Sequence, residues 1–264
     1  MTASRMNSRW RLLLAENGSG VANMARDSGL MDRARETGES VFSVYGWARP
    51  TMSLGRNQTA RRRYDLDEIA AREIDVVRRP TGGRALLHYR EVTYSVTAPI
   101  FPGEPLAASY RRINSILLTS LRSLGVDAEE SRTDARTPEP GSMPCFALPA
   151  EGELVAGGAK LVGSAQVREN GALLQHGSIL VEDDQPLIAS LLINGEQPHE
   201  VPPAATLAGA LGRIPAVAEV AAHLFDAVRL LEDEHASLIH LTDVETYTAR
   251  HVDRYESEWW TWRR

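Results

Sequence analysis

"LVGSAQVRENGALLQHGSIL" occupies residues 161–180. Two apolar stretches, 161–167 and 172–180, flank Arg-Glu-Asn-Gly. Asn170-Gly171 is the dipeptide that supplies the positive φ values of a tight two-residue turn. An antiparallel hairpin here argues against a chain built only of strand–helix–strand units. The flanking segments carry other signals. "VFSVYGW" (41–47) reads as a strand ending in the loop "ARPTMSLGRNQ". Residues 23–35 read as a helix with Asn23 as N-cap and Met24, Leu30, Met31 and Ala34 at helical spacing. Leu106, Tyr110, Ile113, Leu117, Leu121 and Leu124 recur every three or four residues, an amphipathic helix closed by Gly125. Residues 127–144, rich in Pro, Glu and Arg, read as a surface loop. Residues 183–216 read as a connection with a short helix near "QPLIASLLI", and 216–231 as a helix. Thr242-Asp243-Val244-Glu245 reads as a capping box opening a last helix, with Val244, Tyr247 and Val252 on one face. Strands and helices interspersed without a regular beat predict a mixed sheet with helices packed on it rather than a doubly wound parallel fold. A chain of this length is expected to form a single domain.

The chain has 264 residues, 43% hydrophobic and 24% charged, within the globular range. A net charge of −6 gives no general attraction to nucleic acid or acidic lipid, and neither is expected as a partner. One cysteine excludes an intrachain disulfide and a multi-cysteine zinc site, and no histidine pair has metal-ligand spacing, so no metal is expected. The N-terminal Leu12–Leu14 run is too short for a signal sequence, and no segment approaches a membrane span. A soluble cytoplasmic protein is expected. Lysine occurs once, at Lys160.

Chemistry concentrates in three stretches. In "VVRRPTGGRALLHYREVTYSV" (76–96), Gly82-Gly83 bare the backbone where a strand ends, with Arg78 and Arg79 before and Arg84 after. Side chains alternate along a strand, so one of Arg78 and Arg79 should reach a ligand. The segment fits a cradle for a phosphate, carboxylate or polarised carbonyl, and fits equally a glycine turn with solvated arginines. His88, and His176 in "LLQHGSI", read on their own as satisfied structural histidines. Cys145, in "GSMPCFALP", is either a small buried hydrophobe or a nucleophile. An ammonium nearby would raise its thiolate fraction, and Lys160, in "GGAKLVGSA", is the one lysine that could do so. Gly157, Gly158 and Gly163 around it would let a backbone or ligand approach. A cysteine and a lysine beside a glycine cradle make an acyl-transfer site.

Taken in order, "RRPTGGRALLH…E-TYSV", "PCFALP", "GGAKLVGSAQ" and "LLQHGSIL" resemble the biotin/lipoate protein ligase superfamily, and within it the cysteine-dependent octanoyltransferases that begin lipoyl cofactor assembly. "ANMARDSGLM", "RPTMSLGRNQ" and "RYESEW" extend the resemblance from about Trp10 to Trp259. It implies an α+β fold, a mixed, largely antiparallel sheet flanked by helices, related to the catalytic domains of biotin ligases and class II synthetases, with residues 8–260 as a single catalytic domain. It implies that Cys145 takes octanoate from acyl carrier protein as a thioester, and that Lys160 contacts the acyl carbonyl. The substrate-binding set it implies is Arg78, Arg79, Thr81, Gly82, Gly83, Arg84, His88, Gly163, Ser164, Ala165 and His176. The acceptors would be lipoyl domains of dehydrogenase E2 subunits or the glycine-cleavage H protein, with no cofactor. Two other branches imply an ATP- and Mg²⁺-dependent lipoate ligase or an amidotransferase between lipoyl domains. The ligase branch generally carries three glycines where this chain has Gly82-Gly83-Arg84. Tyr89 stands where the family often has an acid after the motif histidine, whereas Asp27 keeps its acidic place. Arg61, Arg62 and Arg63 form a run that is either a solvated face or a local patch for acidic partners.

Overall fold

The computed structural model describes residues 8–131, 146, 152–193 and 202–264. In chain order the elements are β1 (Trp10–Leu14), α1 (Gly20–Thr37), β2 (Ser40–Tyr45), β3 (Thr51–Leu54), α2 (Leu66–Ala71), β4 (Asp75–Arg78), β5 (Leu86–His88), β6 (Glu91–Pro99) and α3 (Leu106–Ser123). They continue with β7 (Ala128–Glu130), β8 (Leu154–Ala156), β9 (Ala159–Glu169), β10 (Ala172–Leu180), α4 (Leu187–Ser190), α5 (Leu207–Leu211) and α6 (Val217–Leu231). The last are β11 (Ser237–Leu238), a 3-10 turn (Leu241–Asp243), and α7 (Glu245–Ala249), α8 (Val252–Glu256) and α9 (Glu258–Thr261).

Eight strands form the main sheet in the order β11-β1-β2-β6-β10-β9-β8-β7. Only β11-β1-β2 is parallel; every other neighbouring pair is antiparallel. The expected mixed, largely antiparallel sheet is therefore present. It contains the long β9–β10 hairpin, closed by Asn170 (φ 51) and Gly171 (φ 85), the left-handed pair that a two-residue turn requires. A smaller sheet, β4-β3-β5, stands beside it.

Alternation divides the main sheet into two faces. One carries Leu12, Phe42, Val44, Val92, Tyr94 and Val96, covered by α3 and α6 through Ile113, Leu117, Leu121, Leu224 and Val228. Each such buried side chain contributes about 1.5–3 kcal/mol. The other face is more polar, with Ser43, Thr93, Ser95, His176 and Ser178 all buried. Helix α1 crosses it, and the candidate site lies there.

Several local expectations need correction. Helix α1 begins at Gly20, and its N-cap is Ser19, whose hydroxyl accepts from the Ala22 N–H. Asn23 is inside the helix and donates to the Gly46 carbonyl at 3.1 Å. The strand expected over 41–47 stops at Tyr45. Within the expected loop 127–144, Ala128–Glu130 forms the edge strand β7, and 132–144 lie outside the described residues. The expected box at Thr242–Glu245 begins instead at His240, whose N–H donates to Asp243 at 2.8 Å, and three short helices replace one long one. Among the described residues no helix is long and apolar enough to cross a membrane, and no cluster of three His, Cys, Asp or Glu could hold a metal.

Candidate active site

The polar face of the main sheet, the N-terminal half of α1 and the small sheet enclose a narrow cavity of about 50 Å³. Met24 lines it from α1, Tyr45 and Trp47 from the end of β2, and Arg79, Gly83, Leu86 and His88 from the small sheet side. Gly163, Ser164, Ala165 and His176–Ser178 of the β9–β10 hairpin complete the wall. Met24, Tyr45, Trp47, Thr93 and His88 are its buried end, whereas Gly83 is exposed at the mouth.

Arg78 and Arg79 diverge, as strand alternation requires. Arg78 turns away from the cavity and is fully buried, donating to the carbonyls of Gly55 (2.6 Å), Gln58 (2.8 Å) and Thr261 (2.8 Å). Burial, with the neighbouring charges of Arg263, Arg264 and Arg79, lowers its pKa to about 10. That placement corrects the expectation that Arg78 lines a substrate site. Arg79 faces the cavity and wraps the glycine turn, donating to the Gly82 carbonyl at 2.8 Å, to Arg84 at 2.7 Å and to Ser53 at 2.9 Å. Gly83 has φ +98 and packs so closely on the Arg79 guanidinium that a Cβ would stand 2.7 Å from it.

Both histidines are hydrogen-bonded at each ring nitrogen, and both line the cavity. His176 donates through Nδ1 to Asp27 at 2.8 Å, which leaves Nε2 to accept from the Thr81 hydroxyl at 2.6 Å. Asp27 is completely buried and also accepts from the Tyr45 hydroxyl at 2.9 Å. Burial, reinforced by Asp27, raises the Tyr45 pKa well above its ordinary value, so the phenol remains a donor. His88 stacks on Trp47 with ring centroids 4.0 Å apart, donates to Glu91 at 2.8 Å and accepts from Ser53 at 2.7 Å. The Trp47 indole N–H donates to Thr93 at 2.7 Å, which in turn donates to Glu91 at 2.5 Å. Each ring is thus locked by a carboxylate.

Lys160, near the start of β9, is 3% exposed and donates to Glu153 at 2.7 Å. Its ammonium is 5.1 Å from the centre of the Phe146 ring. Phe146 packs with Leu86 and Leu180, and a Cβ on Gly163 would meet its ring at 2.8 Å. The bare Gly163 therefore seats the Phe146 ring as well as lining the cavity. Cys145, immediately before Phe146 in sequence, lies outside the described residues. A larger groove of about 950 Å³ runs along α3 past Tyr110, Arg111 and Asn114 and meets the hairpin at Gln166.

The structure thus brings together Arg79, Thr81, Gly83, His88, Gly163, Ser164, Ala165 and His176, with Lys160 close behind Gly163. Gly82 presents its carbonyl to Arg79, and the Arg84 carbonyl does the same. Asp27, Tyr45, Trp47, Glu91 and Glu153 join them. The i,i+3 spacing of His88 and Glu91 was a usable signal for one; the others reach the site from distant segments without a local mark.

Residues 19–229 match the lipoyl protein ligase A/B catalytic domain. The chain belongs to this family. It is 45% identical over 192 residues to Octanoyltransferase LipM of Kyrpidia tusciae, covering 69% of this chain and 70% of the relative. It is 36% identical over 276 residues to Octanoyltransferase LipM of Exiguobacterium sp., covering 97% of this chain and 98% of the relative. Among solved structures, a putative lipoate protein ligase from T. acidophilum with bound lipoic acid superposes with TM-score 0.75 at 23% identity, covering 97% of this chain and 100% of that one. Lipoate-protein ligase A bound with ATP gives 0.77 at 23% identity, covering 97% and 99%. At such identity these two establish the shared fold.

Proposed function

We propose that this family member is an octanoyltransferase of lipoate assembly that works through a thioester on Cys145. The thiolate of Cys145 attacks the carbonyl of a thioester-bound octanoyl group delivered by acyl carrier protein. The C–S bond to the carrier breaks, and the carrier thiolate leaves and takes up a proton. The ε-amine of a target lysine on a lipoyl domain then attacks the acyl-enzyme. It loses a proton as the amide forms, and the Cys145 thiolate is released. The donor is already activated, so neither nucleotide nor metal enters the balance.

The observation that carries this reading is the placement of the chain's only lysine. Its ammonium is buried and anchored by Glu153 against Phe146, the residue covalently joined to Cys145. An adjacent cation favours the thiolate, and later the oxyanion, while N–H groups of the glycine segments supply further donors. The octanoyl chain enters the apolar end of the cavity between Met24, Trp47 and Leu86. It is bulkier than the free space, so binding displaces lining side chains, and Met24 has the rotamer freedom to yield.

Intact-protein mass spectrometry after incubation with octanoyl carrier protein tests this proposal. The wild-type chain should gain one octanoyl group without ATP, and the Cys145→Ser variant should turn over neither donor nor acceptor. Full activity of Cys145→Ser, or acylation that requires ATP and Mg²⁺, would overturn it in favour of an adenylating ligase.

A further inference from the structure

The arginine run at 61–63 remains unused by the chemistry above. Segments 56–63 and 254–264 together hold seven arginines against two carboxylates, Glu256 and Glu258, in a chain whose net charge is −6. The fold binds the two segments into one surface. The N–H groups of Ala60 and Arg61 both donate to the main-chain oxygen of Arg264 at 3.0 Å. The Arg61 side chain donates to the Trp262 carbonyl at 2.5 Å, and Arg263 donates to the Arg56 carbonyl at 2.6 Å. Arg254 and Arg263 both lie over the Trp260 ring, 4.8 and 4.0 Å from its centre.

Three nearby acids are engaged elsewhere, while Glu256 and Glu258 are exposed and leave the arginines in excess. Asp65 caps α2, Glu68 pairs with Arg72, and Glu169 pairs with Arg56. Arg61 and Arg62 are exposed, and Arg62 holds φ +59, a backbone region that favours glycine. The arginines also crowd one another: after burial, the causes that lower the Arg263 pKa are Arg56, Arg264 and Arg254.

The surface adjoins the mouth of the cavity. Gly55, next to Arg56, packs so tightly on the Gly83 carbonyl that a Cβ would stand 2.0 Å away. Buried Arg78 ties Gly55, Gln58 and Thr261 together. A partner seated on Arg61, Arg62 and Arg263 is therefore held beside the Gly82-Gly83 turn.

We propose that this arginine face is the docking surface for the acidic protein that donates the acyl group, steering its thioester-bearing arm to the cavity mouth. The inference rests on the acyl-transfer reading above and names where its donor binds. The donor fits better than the acceptor because its arm is joined through a phosphodiester, and guanidinium groups pair with phosphate oxygens through two parallel hydrogen bonds. Local charge complementarity of this kind acts on encounter rate and orientation, and salt screens it.

The test compares two octanoyl donors, the carrier-protein thioester and the thioester of a short neutral thiol, in wild type and in the double charge-reversal variant Arg61→Glu/Arg62→Glu. The reversal should raise KM for the carrier-bound donor about tenfold or more, leave kcat within about twofold, and leave the neutral thioester unaffected. Wild-type kcat/KM with the carrier should fall as salt rises from about 0.05 to 0.3 M, and the variant should lose that dependence. The milder Arg61→Gln/Arg62→Gln pair should fall between them, and matching melting curves will show that all forms fold. Calorimetric binding of the same carrier to the same variants decides docking even if no acylation occurs; absence of acylation in wild type from both donors would instead refute the acyl-transfer reading. Unchanged carrier kinetics and binding in the charge-reversed variant would overturn the docking proposal, as would an equal loss with the neutral donor.

Discussion

Replacing Asp27 with asparagine removes one buried charge and little volume. Asp27 is the hub from which the Tyr45 hydroxyl and the His176 imidazole are both held. Hydrogen bonds to a charged group contribute about 1.5–3 kcal/mol each, and asparagine retains an acceptor oxygen that recovers part of this. The net loss should be about 2–3 kcal/mol. At roughly 2–4 °C per kcal/mol for a domain of this size, the melting temperature should fall by about 5–10 °C. The functional effect follows from the tautomer. With a carboxylate on Nδ1, the neutral ring presents Nε2 as an acceptor to Thr81, the residue entering the Gly82-Gly83 turn. An amide can either donate or accept, so that orientation is no longer dictated. Steady-state assays should show kcat reduced about tenfold to a hundredfold with a smaller change in KM. If His176 transmits the effect, adding Thr81→Val to Asp27→Asn should cost less than the two separate losses combined. An Asp27→Asn protein that melts within a degree of wild type with unchanged kcat would refute this reasoning.

Other residues carry equally specific expectations. Trp47→Ala removes the ring stacked on His88 at the buried end of the cavity. It should cost about 3–5 kcal/mol in denaturant unfolding and shift the kcat/KM ratio at least tenfold toward longer acyl chains; unchanged chain preference would show that Trp47 is not the floor. Gly55→Ala forces a Cβ against the Gly83 carbonyl, whereas Gly82→Ala meets nothing within 4 Å. The first should destabilise by about 1–3 kcal/mol and the second by little, read from paired melting curves. Burial works to raise the Glu39 pKa, but Arg11 and Arg33 outweigh it and hold the carboxyl below its ordinary value. A lowered folded-state pKa gives stability that is full above the unfolded value near 4.5 and lost as pH falls through the folded one. Glu39→Gln should therefore melt lower than wild type at pH 7, by about 1–2 kcal/mol, with the two curves converging in acid.

Periodicity made the sheet type and the two long amphipathic helices legible, because the β9–β10 hairpin and the α3 stripe are local patterns. Ends were harder. Ser19 displaced Asn23 as the cap because Gly20 could already enter the helix, while the Asn23 amide had a tertiary partner in Gly46. Strand alternation separated Arg78 from Arg79, although only tertiary packing shows that Arg78 holds the 254–264 segment to the site's edge. The histidines illustrate the same limit. Reading each as a satisfied structural residue captured its hydrogen bonds but not its place in the cavity wall. The acids that satisfy His176 and Lys160 come from α1 and from the turn before β8, and nothing in the local pattern marks those pairings.

The most direct test of the central claim isolates the second half-reaction. Protein loaded with octanoate, freed of donor and kept without nucleotide, is mixed with an unmodified lipoyl domain, and both are followed by mass spectrometry. The account predicts that the octanoyl mass leaves the peptide containing Cys145 and appears on the target lysine in a single turnover. Acyl-enzyme that persists while the lipoyl domain stays unmodified, or transfer that begins only when ATP is added, would contradict it.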